Sequence, residues 1–153
     1  MTASKTQSTN HYKELLEGTR DIVLSVNHKY ELLYINKAGK LAFDEFFSTN
    51  MEPGINVLEV VPEFLAKIWK ERYDRALSGE SYVLLEEYQG ELGGEPDFFE
   101  LRFYPVHEGK KITATAVVSR NVTDYKRKEF ELQEGNKRLE KLANEKERLL
   151  QNL

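Results

Sequence analysis

The sequence predicts an α+β domain with a five-stranded antiparallel sheet, helices on one face of it, and a long C-terminal helix. Three observations predict this class. Two β-rich runs, DIVLSVN and ELLYIN, flank the polar turn HKY near the N-terminus. Three more extended runs, SYVLLEEYQ, DFFELRFYPV and KITATAVVSRNV, follow a helical stretch. From Thr123 to Leu153 no proline interrupts a run of helix formers.

Taken in order, residues 1–9 are small and polar and are expected to be disordered until Thr9 or Asn10 caps a short helix. That helix carries Leu15 and Leu16 and stops at Gly18. The hairpin follows. Asn36, directly after its second run, is placed to cap NKAGKLAFDEFF, in which Ala38, Leu41 and Ala42 share a face. Pro53 and Gly54 turn the chain. Pro62 then opens the best helix of the globular part, where Leu65, Ile68, Trp69, Arg72, Tyr73, Ala76 and Leu77 recur at helical spacing as far as Ser78-Gly79.

The last three extended runs are joined by the turn sequences GELGGEP and HEGK. In the second of them Phe99, Leu101 and Phe103 alternate with Glu100, Arg102 and Tyr104, as a sheet with one buried face requires. The third is apolar or small on both faces, which suits a central strand.

Composition narrows the function. Apolar residues make up 40% and charged residues 31%, so the chain is globular with a charge excess at its C-terminal end. A net charge of -4 without a basic stripe argues against nucleic acid as a partner. Without cysteine there is no disulfide, no thiolate nucleophile and no cysteinyl adduct. The N-terminus MTASKTQSTN is polar, and no apolar run approaches the roughly 20 residues that span a bilayer, so a cytoplasmic location without direct membrane contact is expected. Glu86-Glu87 and Asp97 with Glu100 have no nearby His, Lys or metal-ligand spacing, and GELGG lies between two strands rather than opening a helix. Catalysis by this chain is not expected.

The C-terminal run begins with Thr123 as a cap and Asp124 in the first turn. Tyr125, Leu132, Leu139 and Leu153 are spaced by sevens, with Lys146 at the missing step, and a companion row holds Lys128, Gly135, Leu142 and Leu149. Such a seam suits a two-stranded coiled coil and does nothing for a helix alone in water. Leu132, Leu139, Leu142, Leu149 and Leu153 are therefore the expected dimer seam, with Gly135 and Asn136 as its weak point.

The order hairpin, helices, long helix, three strands and exit helix, closed by RNVTDYKRKE, resembles a PAS domain followed by its signalling helix. Asn121, Val122 and Thr123 look like the Asp-Ile-Thr signature that ends the last strand of that family, with Asn in place of Asp, and INKAGK resembles its strand-to-helix junction. The resemblance implies a sensor domain at residues 10–122 and a signalling helix at 123–153, with Asn121, Val122 and Thr123 relaying the signal. It also implies a homodimer through the C-terminal helices and an effector domain downstream in the same chain. EKERLLQNL is similar to the linker preceding class III nucleotide cyclase domains, which are preferred over a histidine kinase as that effector.

If such a domain holds a cavity, it is expected between the long helix and the sheet. Phe99, Leu101 and Phe103 form its floor, Thr115, Val117 and Ser119 line the adjacent strand, and Trp69 and Tyr73 close it. The competing reading is that these side chains fill the core, and it is preferred because interiors are close-packed. A ligand there would be small or flat and apolar. The flavin-binding members need an Asn-Cys-Arg motif, so a covalent flavin adduct is excluded. Haem-binding members commonly use a His on the long helix, whereas His11, His28 and His107 fall in the first helix, the hairpin turn and a late turn, so haem is not expected. Two other readings stay open at this level: a dimerising adaptor with a filled core, and a small α+β enzyme acting on an apolar substrate.

Overall fold

The computed structural model describes residues 2–89 and 94–153, with side chains from residue 7 onward. The elements run α1 (Thr2–Gly18), β1 (Ile22–Asn27), β2 (Leu32–Ile35), α2 (Lys37–Phe47), α3 (Glu63–Leu77), β3 (Tyr82–Tyr88), β4 (Asp97–Glu108), β5 (Lys111–Asn121) and α4 (Thr123–Gln151). The chain divides into two compact units, one of Met1–Glu86 with Phe99–Asn121 and the other of Glu87–Phe98 with Val122–Leu153.

The five strands form one sheet in the order β2-β1-β5-β4-β3, so the chain's first and last strands pair at its centre. Residues directly opposite one another share a face. Ile22, Leu24 and Val26 of β1 oppose Ser119, Val117 and Thr115 of β5, which in turn oppose Leu101, Phe103 and Pro105 of β4. Leu24, Val26, Val117 and Phe103 of this face join Phe43 of α2 and Tyr73, Ala76 and Leu77 of α3 in the core, with Leu32, Ile35, Met51, Val57 and Val61. The expectation that β5 is a central strand holds: it lies third of five, and Ala114 and Ala116 are buried as well as Thr115 and Val117.

Two expectations need correcting. The first helix begins at Thr2 rather than at Thr9 or Asn10, so residues 2–9 are helical where disorder was expected. No Pro or Gly stands between Thr2 and His11, and a helix nucleated at Leu15-Leu16 has nothing to stop it extending backward. In α2 the buried positions are Gly39 and Phe43, while Leu41 is exposed and Ala38 and Ala42 are only half-buried. The helix is turned by its cap: Gly39 N–H donates to Asn36 Oδ1 at 2.9 Å, which brings Gly39 against β2. A Cβ at Gly39 would stand 2.6 Å from Ile35 Cγ1, so only glycine permits that approach. The turn expected at GELGG falls on residues 90–93, outside the described residues, except for Gly94. Among the described residues no helix is long and apolar enough to cross a membrane.

Candidate functional site

Within the first unit a run of aromatic rings crosses from the helices to the sheet. Phe43 and Phe47, one turn apart on α2, each meet the edge of Trp69 with centroids 6.0 and 5.9 Å away. Trp69 meets Tyr73 one turn further along α3 at 6.4 Å, and Tyr73 meets Phe103 of β4 at 6.2 Å. Phe103 stacks on Tyr82 of β3 at 4.9 Å with the ring planes 6° apart. Helical i,i+4 spacing on α2 and α3 brings these rings into line with Phe103 on the inward face of β4. Edge-on and offset arrangements at these distances are the favoured ones for aromatic pairs.

The structure thus brings together Trp69, Tyr73, Phe103 and Val117 of the expected pocket, with Leu101 packed against them. Thr115 is fully buried, and its hydroxyl donates to Tyr104 O at 3.3 Å. Ser119 is buried opposite Leu101. Phe99 is half-buried, pairs with Asn121 and stands outside the core cluster. Sequence reasoning missed Phe43, Phe47 and Tyr82. The Phe43-Phe47 spacing was a legible signal, but Leu41 drew the helix face away from it.

The Tyr73 and Tyr82 hydroxyls of this cluster favour the neutral phenol. Burial pushes the Tyr73 hydroxyl far above its ordinary value. Burial also raises Tyr82, against the opposing pull of Arg75 and Arg72. Tyr82 O–H donates to Arg72 O, Arg72 pairs with Glu86, and the Arg75 guanidinium lies 3.9 Å from the centre of the Tyr82 ring. These contacts fasten the last turns of α3 to β3. In the same turns of α3, Asp74 accepts from Tyr30 and from Lys70, the latter at 2.8 Å. Partial burial works against the Asp74 carboxylate, but the bonds from Lys70 and Tyr30 outweigh it and lower its pKa. Tyr30 sits at φ 63° in the hairpin turn, so this latch ties a left-handed backbone position to α3.

A second constellation lies where α1 meets the sheet. Asn36 is fully buried, and beyond capping α2 its Oδ1 accepts from Val23 N at 3.0 Å. Its Nδ2 donates to Leu16 O at 2.9 Å and to Asp21 O at 2.8 Å. One amide therefore joins α1, the start of β1 and the start of α2. Beside it the Glu17 carboxylate accepts from Tyr34 O–H and from Lys37 N–H, both at 2.9 Å. Arg120, at the end of β5, reaches Asp21 with Nε and Nη2, both at 3.2 Å.

The second unit contains the exit junction. Val122 N–H donates to Phe98 O at 2.8 Å, and Phe98 N–H donates to Thr123 Oγ1 at 2.9 Å. Arg127 of α4 pairs with Glu95 at 3.2 Å. Thr123 was expected to cap the helix, but Val122 occupies the cap position and makes no side-chain bond there. The buried Thr123 hydroxyl is committed to the start of β4 instead. Asn121 is exposed at the end of β5.

Along α4 the leucines at 132, 139, 142, 149 and 150 are 59–71% exposed, and Leu153, beyond the end of the helix, is fully exposed. Gly135 has open space around the position a Cβ would take. His11 and His107 are exposed, and the His28 ring lies 2.7 Å from Ile112 O. Among the described residues no group of three or more His, Cys, Asp or Glu side chains is arranged to hold a metal ion.

Comparison with known proteins places this architecture. The family described as the PAS fold matches residues 16–127. A sensory box sensor histidine kinase from Vibrio cholerae is 23% identical, with a TM-score of 0.50 over 80% of this chain and 96% of that one. A C-terminal domain from Streptococcus mutans gives 18% identity and a TM-score of 0.59 over 81% and 89% of the two chains. The PAS domain of Bordetella pertussis BvgS gives 16% and 0.56 over 84% and 98%. A search of curated protein sequences found no match.

Proposed function

The chain belongs to the PAS family, and from that premise we propose that it is a sensory and dimerising module whose α4 helix pairs with that of a second copy and relays a signal to an effector domain. The observation that carries the reading is the junction. A single residue, Val122, separates β5 of the sheet from a 29-residue helix whose leucines stand in solvent at seven-residue spacing. A helix of that pattern gains little alone, whereas burying each leucine against a twin contributes roughly 1.5–3 kcal/mol.

In this reading the aromatic run supplies the sensing element. A small, flat, apolar ligand would act by displacing Trp69, Tyr73 or Phe103, and a ligand-free module would instead transmit strain through the same packed rings. Asn121, Val122 and Thr123 carry the change into α4, with the Val122 backbone and the Thr123 side chain both bonded to Phe98 at the start of β4. The C-terminal EKERLLQNL favours a nucleotide cyclase as the effector. The likeness to a domain of a sensor histidine kinase favours a kinase as the second reading.

A dimer that forms through α4 makes helix melting depend on concentration, because association stabilises by mass action. The 222 nm transition of the intact chain is expected to shift upward as protein concentration rises. The double variant Leu139→Glu, Leu142→Glu should lose that dependence while the sheet domain melts unchanged. A transition independent of concentration in the unsubstituted chain would refute the reading.

A further inference from the structure

We propose that α4 carries two alternative seams for a second copy of this chain, both parallel and in register, related by a rotation about the helix axis. The inference rests on the dimer reading above and names the residues that would regulate it. Leu132, Leu139 and Lys146 form one column along α4 at seven-residue spacing, and Leu153, two residues beyond the end of the helix, falls on the same spacing. Three residues on from each lies a column with Gly135, Leu142 and Leu149, and four residues on lies a column with Asn136, Ala143 and Leu150.

A two-stranded seam alternates steps of three and four, so the first column can pair with either neighbour. One seam is Leu139, Leu142, Lys146, Leu149 and Leu153. The other is Leu132, Leu139, Ala143, Lys146, Leu150 and Leu153. At 3.5 residues per turn their midlines differ by roughly 50° around the helix. Leu149 and Leu150 are both exposed, 71% and 59%, and each seam moves one of them to the flank. Neither seam is complete: Gly135 weakens the first, and Asn136 with Ala143 weakens the second.

The occupant is a second copy for two reasons. A stripe repeating every seven residues stays in line only against another helix in a supercoil. Parallel and in register, the flanking positions also meet without like charges between Glu131 and Leu153. In the first seam Glu131 faces the twin's Asn136, Arg138 its Ala143 and Glu145 its Leu150; in the second Gly135 faces Glu140 and Leu142 faces Glu147. Lys146 meets its own twin in both seams, so it weakens the pair without choosing between them. Two arrangements of similar free energy are what a weak signal can bias.

The chain has no cysteine, so single substitutions report contacts cleanly. Leu142→Cys and Leu149→Cys sample the first seam, Ala143→Cys and Leu150→Cys the second, and Leu139→Cys both. Under mild oxidation of the intact chain, the two sets should form disulfide dimers at rates within about threefold of each other, since the bond needs close Cβ approach. Adding Leu150→Glu should raise the ratio of Leu142→Cys to Ala143→Cys cross-linking severalfold. A rate difference between the sets of about tenfold or more, or a ratio unmoved by Leu150→Glu, would leave the dimer standing and overturn the second seam. Failure of Leu139→Cys to cross-link in a protein of dimer mass would overturn the parallel register. The same failure at the mass of one copy would overturn the dimer reading itself.

Discussion

The Asn36 side chain makes four hydrogen bonds from a fully buried position, and together they hold three backbone segments: α1, the start of β1 and the start of α2. Its partners Val23 N–H, Gly39 N–H, Leu16 O and Asp21 O would be left without it in a site closed to water. Asn36→Ala is therefore expected to cost about 3 kcal/mol, more than a helix cap alone, read from the shift of the denaturant midpoint. Tyr34 makes a pH prediction. Burial, reinforced by the Glu17 carboxylate, raises its hydroxyl from 10.0 to about 12, so the folded state favours the neutral phenol. The stability from that preference is present in full below pH 10 and is lost as the pH rises from 10 to about 12. Stability should fall across that window, and Tyr34→Phe should make the fall shallower. Tyr30, Tyr73 and Tyr82 are shifted in the same direction and add to the fall, as does Lys70, raised by its bonds to Asp74 and Tyr30.

At the scale of the elements, the strands were legible in the sequence because their signals are local. Alternation at Phe99 to Tyr104 and small residues on both faces of KITATAVVSRN identify an inward face and a central strand without reference to anything distant. The face of α2 was not legible, because its rotation depends on Gly39 fitting against Ile35, a contact between elements. The role of Thr123 was hidden for the same reason: its partner Phe98 is 25 residues away in sequence. In the candidate site, Trp69, Tyr73 and Phe103 could be named from helix and strand periods, while Phe43, Phe47 and Tyr82 join them only through tertiary packing. For α4 the local rules suffice for a prediction. Gly135 lies in the helix interior with open space beyond its backbone, so Gly135→Ala should stabilise α4 by about 0.5–1 kcal/mol. A higher helix melting temperature by circular dichroism is the expected result, and an unchanged or lower one would show that Gly135 does not weaken α4.

For the molecule as a whole, the sheet domain and the exit helix solve different problems. The first unit buries its own core, with Leu24, Val26, Tyr73, Phe103 and Val117 all at 7% exposure or less. Among the described residues the leucines of α4 are exposed, and the proposed pairing with a second copy would cover them. Whether that pairing occurs can be read from the mass of the intact 17.8 kDa chain in solution. Light scattering on the unsubstituted protein at high micromolar concentration should give twice the chain mass. A mass of one chain, held up to roughly millimolar concentration where even weak pairing would show, would refute the dimer.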